Sequence, residues 1–302
     1  MVEASKPIVG GVGLGSMGLG MAGTLAAKGF RVKGFDLAAQ RRSLAEKAGV
    51  EPVESLADAF RNAAFLVFSL PTARDVEGVV DQHADLLGGD NLGRVIIVDT
   101  STSEPDVSRA LAARLDGLGH GFLDAPVSGG PAGAASGNLT MMIGGSEADV
   151  ALARPVIEAL SSKALHVGPS GAGNVAKLVN NLLAAAHMIT TSEGLKLALA
   201  AGISAEAALR VLNAASGRSA ISEVHFPAWV MSERFDSGFS MGLMRKDVRL
   251  ASEMAKRTGA RVPLADVIAK LWAESRDRLQ DSDDFTRMGA FQPEAPIEKK
   301  EA

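Results

Sequence analysis

The chain has no cysteine in its 302 residues. That single absence removes disulfides, thiolate catalysis and cysteine-type zinc sites, and it fits the reducing cytoplasm. Long apolar runs are missing too. The most apolar stretch, Leu182 to Ile189, falls far short of the roughly 20 residues a bilayer-spanning helix needs. Asn180, Asn181, His187 and Glu193 flank or interrupt it, so it reads as buried helix. Met1 to Pro7 shows no basic segment followed by an apolar stretch and a small-residue cleavage site, so no secretion signal is expected. There is no excess of positive charge: a net charge of -4 gives no broad positive field, which argues against nucleic acid and an anionic membrane as partners. His187, His225 and the other histidines lack metal-ligand spacing, so no metal is expected.

What is present is an ordinary globular composition, 47% hydrophobic and 22% charged, with length enough for two domains of about 100 to 200 residues each. From Pro7 to about Gly168 short apolar runs alternate with helical patterns, the signature of repeated βαβ units and a parallel sheet. Strands are predicted at Ile8 to Leu14, Arg31 to Asp36, Phe65 to Leu70, Val95 to Thr100, Phe122 to Val127, Thr140 to Ile143 and Leu165 to Val167. Helices fall between them, the first closing at Gly29 and others near Leu44, Val76, Val107 and Val150. After Gly173 strand signals stop. One long helical pattern runs from about Asn174 to Ala201, apolar or small on nearly every face, and is expected to be buried on all sides, within its own domain, between domains or against another subunit. Ser204 to about Gln280 is helical again, broken at Gly217, Pro227, Gly238 and the Gly259 to Pro263 turn. The expected organisation is α/β: a doubly wound domain over 1–170, then an all-helical domain over 171–302 joined by the long helix. Residues after Asp281, about 282–302, read as a mobile tail.

Gly13-Leu14-Gly15-Ser16-Met17-Gly18 follows the first strand and opens the first helix, the context a dinucleotide fingerprint requires. The first glycine permits a tight turn, the second close approach of a pyrophosphate and the third close packing of helix on strand. The helix start offers N–H groups to the phosphates. Asp36 ends the second strand 18 residues beyond Gly18, near the spacing of about 20 at which a carboxylate holds the ribose hydroxyls of NAD. Arg41 and Arg42 nearby keep NADP use open. Ligands of open α/β sheets sit beyond the carboxyl ends of the strands, so Leu70-Pro71 and Ser101-Thr102 are expected to border the nicotinamide half, or to be ordinary turns.

Further on, Asp124-Ala125-Pro126-Val127-Ser128-Gly129-Gly130-Pro131 follows another strand. Ser128 with the N–H groups of Gly129 and Gly130 forms either a small anion cradle suited to a carboxylate or a plain loop. The long helix begins with Asn174, Lys177 and Asn181 on or near one face. A lysine desolvated there would have the lowered pKa that suits proton transfer; a surface lysine is the alternative.

Together these segments resemble the β-hydroxyacid dehydrogenase family, of 3-hydroxyisobutyrate dehydrogenase and tartronate semialdehyde reductase type, over nearly the whole chain. The resemblance implies a Rossmann domain followed by a helical domain, NAD or NADP as cofactor, and oxidation of the β-hydroxyl of a small carboxylate substrate. It implies that Gly13, Leu14, Gly15, Ser16, Met17, Gly18 and Asp36 hold the cofactor, bordered by Leu70, Pro71 and Thr102. Ser128, Gly129 and Gly130 would take the substrate carboxylate, Lys177 would be the catalytic acid or base, and Asn181 would orient the substrate. Met244-Arg245-Lys246-Asp247 matches the family's late Lys-Asp motif, Lys246 approaching the cofactor and Asp247 supporting the site. Spacing alone would make those two residues a solvated face. Ser216-Gly217-Arg218-Ser219 falls where family members vary with substrate and names no particular acid. Two other readings compete: an imine reductase, which usually replaces the catalytic lysine, and a non-catalytic NAD-binding scaffold. The apolar long helix also predicts a homo-oligomer, a homodimer or homotetramer.

Overall fold

The computed structural model describes residues 6–89 and 93–290. The chain divides into two compact units, Met1–Lys177 and Leu178–Ala302, and each is treated in turn. The division falls inside the long helix, later in the chain than the expected boundary after residue 170.

The first unit carries β1 (Ile8–Val12), α1 (Ser16–Ala27), β2 (Arg31–Phe35), α2 (Ala39–Lys47), β3 (Glu51–Pro52), α3 (Leu56–Phe60), β4 (Phe65–Phe68), α4 (Ala73–Gln82) and α5 (Ala84–Leu87). Next come β5 (Ile96–Asp99), α6 (Pro105–Asp116), β6 (Gly121–Asp124), β7 (Val127–Ser128), α7 (Gly130–Ser136), β8 (Leu139–Gly144), α8 (Glu147–Leu160) and β9 (Ser161–Gly168). Among the described residues they form one sheet in the order β3-β2-β1-β4-β5-β6-β8-β7, with β9 paired to β8. From β3 to β6 all pairings are parallel. Order 3-2-1-4-5-6 is that of dinucleotide-binding sheets, and it reverses between β1 and β4.

Every residue of β4, β5 and β6 is buried, because helices cover both faces. Alternate residues feed two cores: Phe65, Val67, Ile96, Val98 and Leu123 pack with α1 and α8, whereas Leu66, Phe68, Ile97 and Phe122 pack with α3, α4 and α6. That is why these strands read as continuous apolar runs. The seven expected strands correspond to β1, β2, β4, β5, β6, β8 and β9; β3 and β7, two residues each, are too short to show a pattern. The expected doubly wound parallel sheet is present, and it carries an antiparallel addition at its far side, where β8 runs antiparallel to β6 and β7. With only Ala125 and Pro126 between them, β6 and β7 continue one antiparallel ladder against β8, in which Asp124 faces Gly144, Val127 faces Met141 and Ser128 faces Thr140.

The long helix α9 spans Ala172–Ala200. The second unit continues with α10 (Ala205–Ala214), a π-helix (Ile221–Val230), α11 (Met241–Thr258), α12 (Pro263–Glu274) and α13 (Arg287–Ala290). Two expectations are corrected here. Pro227 does not break its helix: it lies inside the π-helix, whose wider turn closes with the N–H of Met231 donating to the carbonyl of Phe226 at 2.8 Å. The tail expected from 282 is folded as far as Ala290, because Phe285 and Met288 are buried in the helical core and the Phe285 N–H donates to the Phe239 carbonyl at 2.8 Å; residues 291–302 lie outside the described residues. Within the single chain, Leu178, Ala185, Met188 and Leu195 of α9 are buried, and Val179, Leu183, Leu197 and Leu199 are exposed. None of the described helices is long and apolar enough to cross a membrane.

The centre of the helical unit is Trp272, 1% exposed, packed in a cluster with Met188, Phe226 and Met244 while its indole N–H donates to the Ala185 carbonyl at 3.2 Å. Trp272→Ala is expected to cost about 3–5 kcal/mol through the cavity it leaves. Denaturant titration of the two proteins checks this; a loss below about 1 kcal/mol, the range of surface substitutions and minor changes, would contradict it.

Candidate active site

The turn between β1 and α1 exists because of what two of its residues lack. A Cβ on Gly18 would stand 1.9 Å from the Gly13 carbonyl oxygen, and one on Gly13, at φ +85°, would stand 2.3 Å from the Ser69 carbonyl oxygen. At Gly15 a Cβ would meet nothing within 4 Å, so that side of the turn is open. No side chain caps the start of α1 and no acidic residue lies in its first turn. Helix-start N–H groups that no side chain satisfies, beside an open glycine, suit an anion. Asp36 completes the cradle: its Oδ2 accepts the Leu14 N–H at 2.7 Å and its Oδ1 the Ala38 N–H at 2.9 Å. Each carboxylate oxygen keeps a second acceptor direction. Arg42 is turned aside, donating to the Asp36 carbonyl at 2.8 Å and pairing with Glu54 at 2.8 Å. These residues fit a dinucleotide.

The remaining expected positions of this unit also lie past strand ends, where the sheet order reverses and beyond it. Leu70 and Pro71 follow β4 and Thr102 follows β5; the Leu70 N–H donates to Ser101 Oγ at 2.9 Å, tying the two loops together. Ser128 ends β7, and Gly129 (φ +130°) and Gly130 (φ +63°) follow in backbone conformations that favour glycine. Lys177, on the second turn of α9, is buried at 7% exposure, so the surface-lysine alternative is ruled out.

Two residues that sequence reasoning named without giving them work turn out to be central. Asp124, fully buried at the end of β6, accepts the N–H groups of Gly171 at 2.7 Å and Asn174 at 2.9 Å. The Asn174 side chain, also fully buried, accepts the Ser103 N–H at 2.9 Å and donates to Ser108 Oγ at 3.0 Å. The available signal was an aspartate ending an apolar strand directly before Ala-Pro, a place where no solvent is expected.

In the unit Leu178–Ala302, Asn181 Nδ2 donates to Asp247 Oδ2 at 2.6 Å, and Lys246 Nζ lies 3.5 Å from Asp247 Oδ1. Asp247 is 1% exposed. The solvated face suggested by spacing alone is thus overturned: α11 turns Asp247 inward onto α9, with Lys246 beside it. Among the described residues no cluster of metal-ligating side chains is found.

Residues 8–168 match the family described as the NAD binding domain of 6-phosphogluconate dehydrogenase, and residues 171–291 match NAD-binding of NADP-dependent 3-hydroxyisobutyrate dehydrogenase. The chain is 32% identical to the mitochondrial 3-hydroxyisobutyrate dehydrogenase of Drosophila melanogaster, covering 92% of this chain and 87% of that protein. It is 36% identical to the NAD-dependent L-serine dehydrogenase of Pseudomonas aeruginosa, covering 86% of this chain and 89% of that protein. Among solved structures it is similar to the 3-hydroxyisobutyrate dehydrogenase of Mycobacterium tuberculosis with L-serine, at a TM-score of 0.86 and 32% identity over 94% of this chain and 98% of that one.

Burial pushes the Asp124 carboxyl above the usual carboxylate range, and the N–H groups of Gly171 and Asn174 offset only part of that. An acid whose folded pKa is raised contributes stability that is fully present below its unfolded pKa and is lost as pH rises through the folded value. The Tm of the native protein minus that of Asp124→Asn should therefore fall as pH is raised from about 4 through the raised pKa, and level off above it. A difference that stays flat or grows over that window would contradict the assignment.

Proposed function

Because the chain belongs to the β-hydroxyacid dehydrogenase family and is an NAD(P)-dependent dehydrogenase, we propose that it oxidises the β-hydroxyl of a small hydroxy acid, or reduces the product, with Lys177 as general acid and base. The observation that carries this reading is the burial of Lys177 at the start of α9, in the same compact unit as the Gly13–Gly18 turn and the Ser128 loop. The acids named for its relatives, L-serine and 3-hydroxyisobutyrate, both carry a hydroxymethyl group next to the carbon that bears the carboxylate. A compact acid of this kind is the proposed substrate class.

Bound NAD supplies the hydride acceptor. In oxidation Lys177, in its neutral form, takes the hydroxyl proton as the hydride departs; in reduction its ammonium returns that proton. Ser128 and the N–H groups of Gly129 and Gly130 hold the substrate carboxylate, so that the hydroxyl-bearing carbon faces the nicotinamide. Asn181 orients the substrate, and its hydrogen bond to Asp247 fixes which way its amide points. Lys246 approaches the cofactor, with Asp247 as its partner. Asp36 places negative charge where the extra phosphate of NADP would sit, which favours NAD. The imine reductase reading is disfavoured by Lys177, and the scaffold reading by the presence of the whole set. The exposed apolar residues of α9, Val179, Leu183, Leu197 and Leu199, support assembly into a homodimer or homotetramer, and the absence of cysteine supports a cytoplasmic location.

Lys177→Met keeps the bulk of the side chain and deletes the titrating amine. Its kcat should fall by roughly 10²-fold or more, the scale of general acid–base catalysis, while NADH affinity stays unchanged. Steady-state rates on a panel of β-hydroxy acids and NADH fluorescence titration check both halves. A folded variant keeping more than about a tenth of native kcat would show that the proton goes elsewhere.

A further inference from the structure

Helix α9 begins in an unusual way for this chain. Helices α3, α4, α8, α10 and α11 take their caps locally, from Ser55, Thr72, Ser146, Ser204 and Ser240 immediately before them. A local cap satisfies N–H groups but ties the helix start only to the residue before it. The cap of α9 comes instead from Asp124, 47 residues before Gly171, whose carboxylate spans the N–H just ahead of the helix and the N–H of its third residue, Asn174. The space is shaped for that contact: a Cβ on Gly144 would stand 2.5 Å from Asp124 Oδ1, and one on Gly173 would stand 2.3 Å from the Asp124 carbonyl oxygen.

A second tether acts at the same turn. Asn174 Oδ1 accepts the N–H of Ser103 in the loop after β5, and its Nδ2 donates to Ser108 on α6. The first turn of α9 is thereby bound to β6 through Asp124 and to the β5 loop through Asn174, using groups that are all fully or nearly fully buried. Burying a carboxylate this way is costly, and a serine ahead of the helix would cap it more cheaply. What the remote pair adds is position: two bonds to different parts of the strand-end edge fix both the origin and the rotation of the helix. Lys177 lies three residues beyond Asn174, about 4.5 Å along the axis, so any pivot at the start moves its amine.

We infer that Asp124 and Asn174 are positioning residues, which fix the first turn of α9 on the ends of β5 and β6 and so set where the Lys177 amine meets the substrate. This rests on the general acid–base reading of Lys177. Neither residue needs to touch substrate or cofactor to do it.

A double-mutant cycle tests the inference. Asp124→Asn puts a donor where one of two acceptors is needed, and Asn174→Ala removes the second tether. Each should lower kcat at least about tenfold, since small misplacements of a reacting group cost that much or more. NADH affinity should stay unchanged in both. In the Lys177→Met background the same substitutions should change the residual kcat by less than about twofold, because the group they position is already gone. A general loss of structure would instead lower the residual rate and weaken NADH binding in both backgrounds, and that result overturns the inference. So does native kcat in folded Asp124→Asn and Asn174→Ala alongside a crippled Lys177→Met, which leaves the role of Lys177 standing. If Lys177→Met itself keeps its rate, it is the underlying reading that fails. Should Asp124→Asn not fold, the Asn174→Ala arm of the cycle decides alone.

Discussion

A carbonyl oxygen 1.9 Å from where a side chain on residue 18 would begin governs the start of this molecule. With no Cβ at positions 13 and 18, β1 can turn straight into α1 and the helix can press on the strand. Its N–H groups then open beyond the strand ends, at the place where the sheet order reverses. Asp36, held by the Leu14 and Ala38 N–H groups, closes the other side of the cradle. Any larger residue at either glycine would force the turn apart and shift the helix-start N–H groups that the turn presents.

The same edge of the sheet gathers the other candidate residues of the first unit. Parallel strands buried on both faces end together, so the loops after β4, β5 and β6 share one rim. Hydrogen bonds stitch those loops to each other, Leu70 to Ser101, Asn174 to Ser103, and Asp124 to the start of α9. Lys177 therefore rides on a helix whose origin belongs to the sheet. On α9's next turn, Asn181 is held by Asp247.

Much of this was legible in the sequence. The β1–α1 glycine turn was announced by the change of period where the glycines fall, and the buried strands announced themselves as short apolar runs. Lys177 was visible as a cation set among apolar residues near the start of the long helix. Asp124 and Asn174 were not, because their partners stand 47 and 71 residues away and backbone N–H groups leave no mark in a sequence. Lys246 and Asp247 were misleading by spacing, since two adjacent charges look solvated until α11 packs on α9. The folded segment through Ala290 was hidden for a similar reason: Phe285 and Met288 are anchors without a period. Pro227 misled by its ordinary role as a breaker, which a π-turn suspends.

In the proposed reaction, hydrogen leaves the hydroxyl-bearing carbon of a small β-hydroxy acid and arrives on NAD. The most direct measurement uses L-serine and 3-hydroxyisobutyrate carrying deuterium on that carbon, incubated with the protein and NAD, with the reduced cofactor then read by proton NMR. Reduced nicotinamide with deuterium at its C4 position is expected from at least one such acid, with a slowed rate relative to the unlabelled acid. No reduced cofactor from any compact β-hydroxy acid, or reduced cofactor carrying only protium, would contradict it.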